Sequence, residues 1–206
     1  MGAPQMTAEE LEAAVSEAKR LGRKVMAHAH AGEGLLAAVK AGVASIDHGS
    51  LVDDQAIAEM KARGTYLVPT LIILEEIVKD GEKKGVPVYA LEKARSIAAE
   101  RRVRLKAAFK AGVLFALGTD ATSDIHGRNG EEFAYMTEIL GATPMEAITI
   151  GTINAAKLIG ADHEIGSIEK GKFADIVAVQ GDPLKNIRLL ESPAFVMKGG
   201  KVFLSK

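Results

Sequence analysis

Apolar residues recur along this chain at two alternating spacings, and the alternation predicts a strand, then a helix, repeated. Leu11, Ala14, Val15, Ala18 and Leu21 fall on one helical stripe. Thr7 with Glu10 forms a capping box that starts this helix, Gly22 ends it, and the apolar stripe is expected to lie against a sheet. Val25 to His28 then reads as a first strand, after which Gly32 and Gly34 turn the chain into a helix running to about Ala41 and closed by Gly42. Val43 to Asp47 is a second strand that presents His48-Gly49. Asp53 caps the next helix, which carries Ile57, Met60 and Ala62 and stops near Gly64. Thr65 to Pro69 is a third strand, with the proline at its end because proline cannot donate to a central ladder.

The rhythm then loosens and returns. Leu71 to Val78 makes a short apolar helix, and the charged run Lys79 to Lys84 reads as a solvated loop or lid. Leu91 to Lys110 is a long basic amphipathic helix whose Arg95, Arg101, Arg102, Arg104 and Lys106 are expected on a solvated outer face. Val113 to Gly118 is a near-continuous apolar run, as in a parallel strand covered on both faces, and Thr119 and Asp120 follow it. Gly130 to Leu140 reads as helix. Thr143-Pro144-Met145-Glu146 is a second capping box with proline at the first helical position, opening a helix through Ile150, with another from Thr152 to Ile159. Beyond it, a strand at Ala174 to Val179 and a hairpin from Phe195 to Leu204 around Gly199-Gly200 predict a small β appendage. The expected division is therefore residues 1–160 for the strand-helix units and 161–206 for the appendage.

Four strands that each feed a helix define a parallel α/β arrangement, and right-handed crossovers gather the strand C-termini on one rim, where such folds bind ligands. His28, His48 and Asp120 all fall at that rim. Side chains alternate along a strand, so His28 and His30 can share a face. The chain has no cysteine, which excludes disulfides, thiolate ligands and cysteine nucleophiles and leaves nitrogen and oxygen to hold any metal. With 206 residues, 48% hydrophobic, and a net charge of -1, the chain can bury a core and has no bias toward nucleic acid or membrane. No run approaches the roughly 18 apolar residues of a membrane-spanning helix, no leader pattern opens the chain, and a cytoplasmic location is expected. Gly32 and Gly34 lack the third glycine and downstream acid of a dinucleotide fingerprint.

Five ordered motifs carry a family resemblance: His28-Ala29-His30, Ser45 to Gly49, Gly118-Thr119-Asp120-Ala121, Thr143 to Ile148, and Gly166 to Val177. Together they resemble the amidohydrolase superfamily over nearly the whole chain, and within it the prolidase-like and imidazolonepropionase-like branch. The resemblance implies the C-terminal half of a (β/α)8 TIM-type barrel plus the β appendage. It implies that His28 and His48 are metal ligands at the fifth and sixth barrel strands, and that Asp120 at the eighth is both ligand and catalytic base. His30, His126 and Asn129 would contact substrate. The metal would be zinc, activating water for hydrolysis of an amide, with a dipeptide of the Xaa-Pro type as the expected substrate. The family's first-strand His-x-His pair and fourth-strand lysine correspond to positions before residue 1. The chain is therefore expected to act as a half barrel, holding at most one weak metal site and pairing with a complementing N-terminal half or with further copies of itself. The alternative is a non-catalytic half-barrel scaffold whose histidines are inherited and idle.

Overall fold

The computed structural model describes residues 3–122 and 125–206. Helix α1 spans Ala8–Arg20, with both arms of the Thr7/Glu10 capping box formed: Thr7 N–H donates to Glu10 Oε2 at 2.8 Å, and Glu10 N–H donates to Thr7 Oγ1 at 3.2 Å. It does not cover a sheet as expected. No residue of α1 is buried, and its Leu11 and Val15 are only partly covered where the helix packs against the next one, α2, Gly32–Ala41.

Strands β1 (Met26–Ala31), β2 (Ser45–Leu51), β3 (Tyr66–Val68) and β4 (Leu114–Phe115) form one parallel sheet in chain order. Helix α3 (Asp54–Arg63) joins β2 to β3, with Asp53 Oδ1 accepting from Ala56 N–H at its start. Helices α4 (Leu71–Asp80) and α5 (Val88–Lys110) join β3 to β4. Sequential parallel neighbours linked by helices are what right-handed strand-helix units produce. The core lies between sheet and helices: Leu35, Val39, Ile46, Met60, Leu67, Leu105 and Leu140 are fully buried, and Phe115 nearly so. Burying each such side chain contributes about 1.5–3 kcal/mol.

Several boundaries differ from expectation for local reasons. β1 runs on to Ala31, so His30 stands in the strand and not in a loop after it. β4 is only two residues long and pairs with β3 alone, through Tyr66 opposite Leu114 and Leu67 opposite Phe115. Arg101 is not on a solvated face: it is 2% exposed, and the buried side of α5 runs Leu91, Ala94, Arg101, Leu105, Ala108.

After β4 come α6 (Glu131–Tyr135), continued by a π-helical turn at Met136–Leu140, and α7 (Pro144–Thr149). A second π-helical turn, Ile150–Asn154, leads into α8 (Ala155–Ile159), so the two helices expected around Gly151 form one run with no break. The Thr143/Glu146 capping box opens α7 as expected. Strands β5 (Ile176–Ala178), β6 (Phe195–Lys198) and β7 (Lys201–Ser205) make a small antiparallel sheet, with β6 and β7 joined at Gly199-Gly200. Among the described residues no helix is long and apolar enough to cross a membrane.

Candidate metal centre

On β1 the exposed residues are Met26, His28 and His30, while the alternate Ala27, Ala29 and Ala31 are half-buried toward the helices. The two imidazoles thus share the open face, as strand periodicity requires. β2 reaches the same face by a different route. In the parallel register Asp47 lies opposite His28, and His48 lies opposite Ala29. Strict alternation would send His48 to the helix side with Ile46. His48 escapes this because its backbone is left-handed, φ 74°, and Gly49 after it is left-handed too, φ 52°. The strand bends there, and the His48 ring comes back to β1.

The result is a cluster of three imidazoles. His48 Nε2 lies 2.9 Å from His28 Nδ1, and one donor nitrogen from each of His28, His30 and His48 falls within 4.8 Å of the others. The His30 and His48 rings stack with centroids 4.9 Å apart and 18° between planes. Each outer edge is tied down: His30 Nδ1 is 2.9 Å from Ser50 Oγ, and His48 Nδ1 is 2.7 Å from Thr70 Oγ1. His48, Ser50 and Thr70 are buried.

Desolvation disfavours the charged form of two of these rings, His30 and His48. Although part of its surface is open, the His30 ring is desolvated where it stacks on His48 and meets Ser50, and this, reinforced by the charges of His48, His28, Lys93 and Arg101, pushes its pKa down to about 4. Burial also lowers that of His48, with His28 acting the same way and the Asp120 carboxylate opposing. Asp47, half-buried opposite His28, is raised by burial and by Asp120, against the pull of the Ser45 hydroxyl 3.3 Å away and of His28. Three imidazoles whose ring nitrogens converge within 4.8 Å are a donor set that zinc and similar divalent ions accept, so the residues present fit a metal ion.

Asp120 stands outside the three-imidazole cluster. It is exposed beyond β4 in a left-handed conformation, φ 53°, and its charge acts on His48 and Asp47. His126 and Asn129 are exposed in the turn 125–130 that precedes α6; the Asn129 carbonyl there accepts from Glu132 N–H at 3.2 Å. Among the described residues, the only non-glycine residues with positive φ are His48, inside β2, Thr70, two residues after β3, and Asp120, five residues after β4. Each such conformation costs on the order of 1–3 kcal/mol and survives only where its surroundings over-determine it.

The sequence and the fold have known counterparts. Residues 1–203 match the amidohydrolase family, and the chain belongs to it. It is 35% identical over 204 residues to an ochratoxinase of Aspergillus niger, covering 97% of this chain and 42% of that enzyme. It is 32% identical over 184 residues to an imidazolonepropionase of Caldanaerobacter subterraneus, covering 85% of this chain and 39% of that protein. Its fold superposes on a Xaa-Pro dipeptidase solved with methionine in its active site, with a TM-score of 0.90 and 42% identity, covering 98% of this chain and 50% of the dipeptidase. The chain thus spans about half the length of these relatives. Its four parallel units are the C-terminal half of a (β/α)8-type barrel, with the antiparallel sheet as a β appendage.

Strand periodicity and rim position singled out His28, His30, His48 and Asp120. Sequence reasoning passed over Ser50, Thr70 and Asp47. Asp47 could have been found by alternation, being the β2 residue in phase with His28. Thr70 carried only the weak signal of a polar residue directly after a strand-ending proline.

Proposed function

We propose that this chain is the metal-holding half of a zinc-dependent amidohydrolase of dipeptidase type, acting on an amide bond next to a terminal residue, as in an Xaa-Pro dipeptide. The observation that carries the reading is the approach of His48 Nε2 to His28 Nδ1 with His30 beside them. His28 and His48 would hold the ion, with Asp120 completing the set and His30 either joining it or contacting substrate. A zinc ion bound there supplies Lewis acidity toward water and the scissile carbonyl.

The chain's own groups do the rest. Asp120 takes a proton from the attacking water on its carboxylate and returns it to the leaving nitrogen as the C–N bond breaks. Its exposure on the open side of the rim leaves that carboxylate accessible to substrate. His126 and Asn129, in the turn after Asp120, are positioned by sequence to meet the substrate's far end. The relatives' greater length supports a site completed by a second half-barrel.

The test is release of free amino acid from Xaa-Pro dipeptides in the presence of zinc, by the chain alone and mixed with the N-terminal half of a prolidase-like relative. Metal-stimulated release that disappears in Asp120→Asn is expected. Absence of release in the folded mixture would overturn the reading and favour an inert half-barrel.

A further inference from the structure

The histidine cluster is backed by a buried arrangement that the proposed hydrolysis does not use. Thr70 is a β-branched residue in the left-handed region, φ 46° and ψ 61°, and is 4% exposed. β-branched residues adopt this conformation only under constraint. The constraint comes from two charged side chains on different helices. From α5, Arg101 Nη2 donates to the carbonyls of Pro69 at 2.7 Å and Thr70 at 3.1 Å. From α6, the Glu132 carboxylate accepts from the backbone N–H of Leu71 at 3.0 Å and of Ile72 at 2.9 Å. The three successive peptide groups from Pro69 to Ile72 are thus gripped from both sides.

These are expensive groups to bury. Arg101 is 2% exposed and Glu132 fully buried, and Arg101 Nε and Nη1 have no hydrogen-bond partner among the described residues. Its nearest carboxylate oxygen, Glu75 Oε1, lies 4.0 Å from Nη1. An apolar residue in the α5 stripe would pack there at less cost, so the pair is not explained by stability alone. What the clamped segment delivers is the Thr70 hydroxyl, 2.7 Å from His48 Nδ1.

We propose that Thr70 is a positioning residue for His48: its hydroxyl accepts from Nδ1–H, which leaves the Nε2 lone pair facing His28, and Arg101 and Glu132 hold Thr70 in the backbone this requires. This deepens the metal reading and rests on His48 acting as a ligand. A neutral imidazole carries one ring proton, and the partner of one nitrogen decides which nitrogen can bind. In the opposite arrangement the hydroxyl donates to Nδ1 and His48 Nε2 carries the proton.

Nitrogen-15 NMR of the imidazoles at pH 8, without metal, separates the two. The expected result is a protonated Nδ1 and bare Nε2 in His48 of the native chain. Thr70→Val, which keeps the branching and removes the hydroxyl, should scramble the tautomers and weaken zinc binding about 10- to 100-fold, and Thr70→Ser should restore both. A proton on Nε2 in the native chain overturns the inference, whether or not any variant folds. So does a folded Thr70→Val with native tautomer and native zinc affinity. A native chain that binds no zinc yet keeps Nδ1–H, lost in Thr70→Val, defeats the metal reading and leaves Thr70 as the orienting group.

Discussion

Nδ1 of His28 and Nε2 of His48 face each other at 2.9 Å across two adjacent parallel strands, although their backbone register is out of phase by one residue. The left-handed turn of His48-Gly49 closes that phase difference. The histidine pair is therefore a product of backbone conformation as much as of residue type.

Gly49→Ala tests this dependence. A Cβ at position 49 would lie 2.3 Å from Leu67 Cδ1, on a backbone with φ 52° that L-residues resist. Urea unfolding should show a loss above ~1 kcal/mol, the cost of alanine where φ is positive. The signals of His28 and His48 should shift together. A neutral substitution would mean that the bend is not enforced by packing.

Legibility in the sequence follows the same division. The order of strands and helices, both capping boxes and the shared face of His28 and His30 follow from local periodicity and side-chain chemistry. His48 could be assigned to the rim but not to a face, because alternation points it the wrong way. Arg101 was misjudged by its charge, although it falls in phase with Leu91, Ala94, Leu105 and Ala108; long-range carbonyls from Pro69 and Thr70 decide its burial, and no local pattern encodes them. The extent of β4 depends on how far it pairs with the three-residue β3, a property of the sheet and not of the strand's own residues.

His30 should remain neutral well into acid. Desolvation of its inner edge against His48 and Ser50, with the charges of His48 and His28 behind it, lowers its pKa to about 4 from an ordinary 6.5. A histidine lowered on folding contributes stability that is fully present above the unfolded value and is lost as pH falls through the folded one. Proton NMR titration of the His30 ring should give a midpoint near pH 4; a midpoint near 6.5 would show an open, solvated ring.

Glu132 predicts the opposite slope. Burial raises its carboxyl to about 7 from 4.5, against the two backbone N–H donors and Arg101, which lower it. Its contribution is fully present below the unfolded value and is lost as pH rises through the folded one. The stability of the native chain relative to Glu132→Gln should therefore fall between pH 4.5 and 7.5, by on the order of 3 kcal/mol. Urea denaturation at the two pH values measures the difference, and a difference that stays constant would show that Glu132 titrates normally.

Packing beneath the site should behave as a close-packed core. Leu105 is fully buried on the α5 stripe one turn from Arg101. Leu105→Ala should cost about 2–5 kcal/mol in chemical denaturation. A loss below ~1 kcal/mol would mean that the layer between α5 and the sheet is loosely packed.

The most direct test of the proposed centre is zinc titration of the full chain by calorimetry, beside His28→Ala and His48→Ala variants of confirmed fold. One ion per native chain, with binding abolished in both variants, is the predicted result. Equal binding by all three proteins, or by none, would contradict a metal centre built on His28 and His48.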